Sequence, residues 1–314
     1  MAWGKSKLNR FLGTWSLLVV GIIGISTSTL WIRLGTSQGE MDEVQLAFLR
    51  LALALPILWL LSKRESPVPL NRCGSSVLIA GACLALHFGA WMASLAYLSV
   101  ATSVVLVYLH PVIIYAIEVI RGRAPLKWSC VGGVLLTLSG TTILAWFSGE
   151  ADPSDLGDQQ LWGMVLSVIG SLAFVGYLLA GRTATLKMPT VTYATRAYAV
   201  AALALLLWLI SMDSKVIPQT GPGWGYAGLL ALFPTLLGHT PLNAALKRLP
   251  PTVVSTTYLG EMAGAPLLVW LVIQETPPAS FWIGGPMVVA GIMAVARNSE
   301  KNAGTISNEE SGAQ

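Results

Sequence analysis

Ala101-Thr102-Ser103-Val104-Val105-Leu106-Val107-Tyr108-Leu109 is followed 150 residues later by Pro251-Thr252-Val253-Val254-Ser255-Thr256-Thr257-Tyr258-Leu259. The stretches align without a gap, and each lies inside a long apolar run. Two further correspondences keep the same order: Arg50 with Arg196, and Gly132-Gly133 with Gly284-Gly285. All fall at offsets of 146 to 152 residues, so the chain reads as two copies of one unit.

Outward from these stretches run ten apolar segments, at 11–33, 44–62, 75–95, 100–120, 127–147, 160–181, 190–212, 223–245, 251–273 and 280–296. Most approach the roughly 20 residues that a spanning helix needs. Composition agrees. The chain is 54% hydrophobic and 11% charged, against about 25% charged in soluble domains. Pro56, Pro111, Pro234, Pro241, Pro266 and Pro286 fall inside the segments. Lipid leaves no backbone group unpaired, so such breaks belong against protein or a wet cavity. The first segment follows Lys5, Lys7 and Arg10 like a signal sequence, but it is too long for one and reads as retained.

The expected fold is therefore an all-α integral membrane protein with ten transmembrane helices. Five spans per copy is an odd number, so the second copy inserts upside down. Two inverted five-helix repeats result, at 1–150 and 151–297, followed by a polar disordered tail at 298–314. Inverted repeats recur in secondary transporters, with the site near the bilayer midplane between the copies.

With the N-terminus placed in the cytoplasm, 15 of the 19 Lys and Arg fall on the cytoplasmic side, including Lys63, Arg64, Arg121, Arg123, Lys127 and Lys187. Arg33 and Lys215 fall opposite, beside acids such as Glu40, Asp42, Glu150, Asp152, Asp155, Asp213 and Glu275. This asymmetry predicts both termini in the cytoplasm of a bacterial inner membrane. The net charge of +4 comes from short clusters between spans, not from a nucleic-acid footprint. Cys73, Cys83 and Cys130 have neither metal nor disulfide spacing. Gly35-Thr36-Ser37-Gln38-Gly39 fits a hydrolase pattern formally but lies between two helices rather than on a strand-to-helix turn. No enzyme, cofactor or metal is expected.

Polar residues deep in spans are the informative ones, because lipid tolerates them poorly. Glu261 lies about ten residues into span nine, with Thr257 and Tyr258 on the same face. An apolar setting favours the neutral acid and allows reversible protonation; the competing reading is a carboxylate paired with Arg. His110, beside Pro111 in span four, suits substrate binding or proton relay, or serves to satisfy carbonyls freed by the proline. Tyr108 is its neighbour, and Ser103 lies on nearly the same face. His87 with Trp91 in span three, and His239 with Asn243 in span eight, are further candidates for the cavity wall. Interhelix hydrogen bonding is the competing role for each. Glu261 and His110 are the candidates for proton coupling. Arg50 and Arg196, each about six residues from its membrane entry and able to snorkel, read as structural charges, with a hold on an anionic substrate as the competing role. Glu118, three residues before Arg121, reads as half of a surface ion pair. Gly260-x-x-x-Gly264 and Gly132-Gly133 suggest close helix packing.

The ten spans, the Arg of spans two and seven, the short links from span three to four and eight to nine, the His110-Pro111 step and the paired glycines together resemble the drug/metabolite transporter superfamily. The resemblance is to its EamA-type members and covers about 11–296. Where that group commonly has a Gly-Glu-Arg turn, this chain has Arg121-Gly122-Arg123; Met262 stands where the second copy often has proline. The resemblance implies export or exchange of small metabolites, often amino acids, without ATP. It also implies spans three, four, eight and nine around a central cavity. The partners implied are a small-molecule metabolite and the lipid bilayer, with a homodimer admissible. The rival readings are a non-transporting membrane sensor or scaffold and, less favoured, a membrane-embedded enzyme.

Overall fold

A computed structural model describes residues 2–69, 74–98, 100–146, 158–274, 276–277 and 279–312. The repeat boundary at 150/151, together with Glu150, Asp152, Asp155, Cys73 and Glu275, lies outside them. Among the described residues every regular element is helical. In order they are α1 (Ala2–Ser26), α2 (Ser28–Ser37), α3 (Glu43–Ser62), α4 (Gly74–Ser94), α5 (Val100–Val107), α6 (His110–Ile120), α7 (Trp128–Trp146), α8 (Asp158–Thr185) and α9 (Thr190–Ser211). Then come α10 (Gly221–Leu230), a π-helical segment (Ala231–His239), α11 (Thr240–Ala245), α12 (Pro251–Tyr258), α13 (Gly260–Ile273) and α14 (Phe281–Gly312). The backbone of the polar tail thus continues α14 to Gly312, where the sequence predicts disorder.

Among the described residues six stretches are long and apolar enough to cross a membrane: Gly13–Ser37, Glu43–Ser62, Gly74–Ser94, Thr102–Ile120, Gln159–Thr185 and Thr190–Ser211. Trp128–Leu144 and Phe281–Arg297 are apolar but shorter. The expected eighth and ninth spans are not regular α-helices throughout; the eighth stays helical from Gly221 to Ala245 but is π-helical in its middle. Pro234 and Pro241 each remove a backbone donor, and the chain around them relaxes into the π segment. The ninth is interrupted at Leu259, between α12 and α13. The fourth is interrupted at Tyr108-Leu109, ahead of Pro111. In these two spans the interruption thus falls at the paired positions of the 150-residue repeat.

The molecule buries polar side chains within an apolar core and is apolar outside as well. Its largest fully buried side chains include Arg50, Tyr177, Tyr193 and Tyr198. Leu60 (58% exposed), Leu207 (60%) and Ile210 (61%) face outward. In water such a surface would aggregate; against lipid tails it costs nothing.

Small residues set the closest approaches. α4 packs on α8 and α9, α3 on α9, α7 on α14, and α1 across the π segment, α11 and α13. A Cβ on Gly24 would lie 2.6 Å from the Gly238 backbone nitrogen, and one on Gly264 would lie 2.1 Å from Ser26 Oγ. Gly133 meets the Gly291 carbonyl and Val295 in the same way, whereas Gly132 faces open space.

Candidate functional site

Interruptions of the helices meet at one place. Ser28 opens α2 after the break at Thr27, Tyr108 and His110 flank the second break, His239 ends the π segment, and Tyr258 and Glu261 flank the last. All of these line a single cavity, together with Arg50, His87, Phe88, Trp91, Val107 and Phe174. The chain has three histidines, and all three are here. The enclosed space is about 30 Å³ for the centres of water-sized molecules. One water occupies roughly 10–15 Å³ on that measure, so this conformation is closed around no more than a few waters.

Phe174, from α8, is the hub of the aromatic wall. Its ring centroid lies 4.6 Å from His87, 4.6 Å from His110 and 4.9 Å from Tyr258. His87, one helical turn before Trp91 on α4, stacks on it at 6.0 Å, and its Nδ1 is 2.9 Å from the Gly170 carbonyl. Tyr258 Oη and His239 Nδ1 are 3.2 Å apart. Tyr108 donates to Glu261 Oε2 at 3.0 Å, joining the two interrupted spans across the cavity. His110 Nδ1 and Trp91 Nε1 are buried without a protein partner.

Arg50 does not snorkel to the surface but lies in the cavity wall. It is 1% exposed, its Nε donates to Thr235 Oγ1 at 3.0 Å, and its guanidinium lies 4.7 Å from the Phe88 ring centre. Its Nη2 has no protein partner. Arg196 occupies different surroundings, donating to the Val68 and Pro69 carbonyls at the periphery. The sequence similarity of the two arginines does not extend to their environments.

Seven of the eight expected wall residues thus come together: His87, Trp91, Tyr108, His110, His239, Tyr258 and Glu261. Asn243 does not join them. It accepts from Tyr177 at 2.8 Å and donates to Tyr198 at 3.1 Å, bracing α11 against α8 and α9. The step from His239 to Asn243 is α-helical, and Asn243 is taken up instead by the two tyrosines of the neighbouring helices. Thr257 also turns away, donating to its own helix at Val253 O. Ser103 meets Ser94 at 2.6 Å and Ser167 at 3.2 Å, outside the cavity. Ser28, Phe88 and Phe174 had no sequence signal, being ordinary residues of apolar spans.

Glu118 requires a correction. It is 6% exposed, not half of a surface pair. Its Oε2 accepts from the Thr252 backbone N–H at 3.2 Å and from the Thr252 hydroxyl. Helix N-termini carry unpaired donors and partial positive charge, so a carboxylate from α6 caps α12. Glu65 does the same for α9, accepting from the N–H groups of Val191 and Thr192. Glu118→Ala is expected to lose about 1–3 kcal/mol, seen as a lower unfolding midpoint in detergent. An unchanged midpoint would return Glu118 to the surface.

The comparisons agree with this architecture. An all-helical chain whose apolar surface surrounds a buried polar cavity is an integral membrane protein of the transporter type. The EamA-like transporter family matches residues 12–146 and again 161–297. The chain belongs to that family, and through it to the drug/metabolite transporter superfamily. No curated protein matches the chain. A solved crystal structure of a protein is similar with a TM-score of 0.78 and 17% identity, over 92% of this chain and 98% of the other. At that identity the likeness concerns the fold alone.

Proposed function

We propose that this chain is a secondary transporter, moving a small amphipathic metabolite such as an amino acid by alternating access. The observation that carries the reading is the convergence of helix interruptions on one buried cavity holding Arg50, Glu261 and the three histidines. Discontinuous helices are how transporters present backbone and charge to a substrate at membrane depth. Arg50, with Nη2 unpartnered, suits the carboxylate of a substrate; Glu261, held by Tyr108, suits an amine or a proton. Phe88, Trp91 and Phe174 suit an apolar body. The cavity is too small for such a molecule as it stands, so the helices must part to admit one.

Two inverted repeats and ten spans complete the proposal. The packing supports it. A two-fold axis in the membrane plane would exchange the contact of α4 with α8 for that of α1 with the π segment, and would map α3–α9 and α7–α14 onto themselves; all four contacts exist. With both termini cytoplasmic, a cysteine at Asp213 reacts with an impermeant maleimide applied outside intact cells and one at Lys187 does not. The reverse pattern would invert the topology.

The function is tested by purified protein in liposomes, offered a panel of amino acids and related metabolites with and without a pH gradient. Saturable uptake of at least one compound is expected. A cavity that binds such compounds without translocating any would favour a sensor instead.

A further inference from the structure

Away from the central cavity, a groove runs down the outer face between α5, α6 and α7. Its first hollow, about 320 Å³, is lined by Val112, Val119, Ile120, Leu126, Val131 and Leu135, with Tyr115 and nearby apolar side chains. A second hollow, about 450 Å³, continues from Leu135 along Val105, Leu109, Leu138 and Ile143. From Val131 to Ile143 the wall supplied by α7 is about 18 Å long at 1.5 Å per residue. One leaflet's share of a hydrocarbon core about 30 Å thick is about 15 Å. A whole acyl chain therefore fits lengthwise.

The mouth of the groove is not apolar. The loop that closes it, residues 121–127, carries Arg121, Arg123 and Lys127, and both arginines are exposed. Gly122, at φ 64°, makes the turn that separates them. Tyr115 anchors this loop from the groove wall, accepting from Lys127 N at 2.9 Å and donating to Pro125 O at 3.1 Å. Glu118, the acid nearest this loop in sequence, is turned inward to Thr252. Ile120 (83% exposed), Leu126 (60%) and Trp128 (80%) ring the same loop, at the level where an aromatic and aliphatic belt meets headgroups.

We propose that this groove is a binding site for an anionic phospholipid, with an acyl chain between α6 and α7 and the phosphate on Arg121 and Arg123. Guanidinium groups bind phosphate through paired donors, and the basic mouth meets the apolar groove where a phospholipid changes from headgroup to tail. A second copy of the chain suits the groove less well. A two-fold axis along the membrane normal would bring Arg121 and Arg123 of both copies to the same side, like charge against like. The proposal does not depend on which compound the cavity carries, or on whether it carries one.

Native mass spectrometry of the full chain, purified in detergent and titrated with phosphatidylglycerol or phosphatidylcholine of the same acyl chains, tests it. The wild-type chain is expected to retain phosphatidylglycerol about tenfold more tightly, the size that a pair of surface charge contacts reaches. The R121A/R123A double variant, altered only at exposed positions, loses that preference. Leu135→Trp, which fills the groove, weakens both lipids. Equal retention of the two lipids by the wild type, an unchanged preference in the double variant, or a dimer that Leu135→Trp dissociates would each overturn the proposal. The last would make the groove an interface between copies.

Discussion

Glu261→Gln yields a folded protein that no longer couples transport to a pH gradient, while exchange of substrate down its own gradient persists. Glu261 sits at the start of α13, at the break in the ninth apolar segment, and faces the closed cavity. An ionised carboxylate left alone there would cost several kcal/mol, roughly; Tyr108 supplies one hydrogen bond. In the proposed cycle substrate or proton supplies the rest, which would make the glutamate the place where the two exchange. The amide keeps the shape and the bond from Tyr108 but cannot titrate. Arg50→Gln should act differently. It removes the group proposed to hold the substrate's anion, and a charge-assisted hydrogen bond is worth about 1.5–3 kcal/mol. Affinity should therefore fall about 10- to 100-fold, with the pH response retained. Flux measured against substrate concentration at two pH values separates these outcomes. Normal pH-driven flux in Glu261→Gln would remove the coupling role.

Gly24→Val prevents the chain from reaching its native packing. At this crossing of α1 over the π segment, a Cβ would lie 2.6 Å from the nitrogen and 2.7 Å from the Cα of Gly238. Both neighbours are backbone, so no rotamer relieves the clash. Overpacking commonly costs 1–3 kcal/mol, roughly, and a backbone collision should exceed that. Between lipid-exposed helices, close approach of small residues replaces the hydrophobic effect as the source of affinity. Folded, monodisperse protein in detergent should be lost. Gly228→Ala, where a Cβ meets nothing within 4 Å, should be neutral. A monodisperse Gly24→Val protein would show that the two helices do not cross so closely.

Much of the fold was legible because lipid enforces simple rules. Apolar length marked the helices, but spans four and nine read as continuous, and only the structure shows that both break at the paired positions of the 150-residue repeat. The π segment was not legible. Pro234 and Pro241 announced a disturbance, but proline chemistry alone does not select a π turn over a kink. Asn243 was misplaced for another reason: its partners, Tyr177 and Tyr198, lie 66 and 45 positions away. The candidate site was legible where polarity is rare: three histidines and Glu261 stand out in apolar spans. Arg50 was harder, because a cation a few residues inside a span can equally snorkel to the surface. Its burial depends on Thr235, 185 positions away. Glu118 was misread for the same reason. Nearness to Arg121 in sequence suggested an ion pair, while its partner, Thr252, lies 134 positions away.

Alternating access is tested most directly at Ser28, a 4% exposed residue of the cavity wall that carries none of the proposed charge chemistry. In a chain with Cys73, Cys83 and Cys130 replaced by alanine, Ser28→Cys changes one atom. A cationic, membrane-impermeant methanethiosulfonate is applied to right-side-out and to inside-out vesicles. The account predicts modification from each side, slowed by a transported compound in both preparations. Modification from one side only, or from neither, would contradict it.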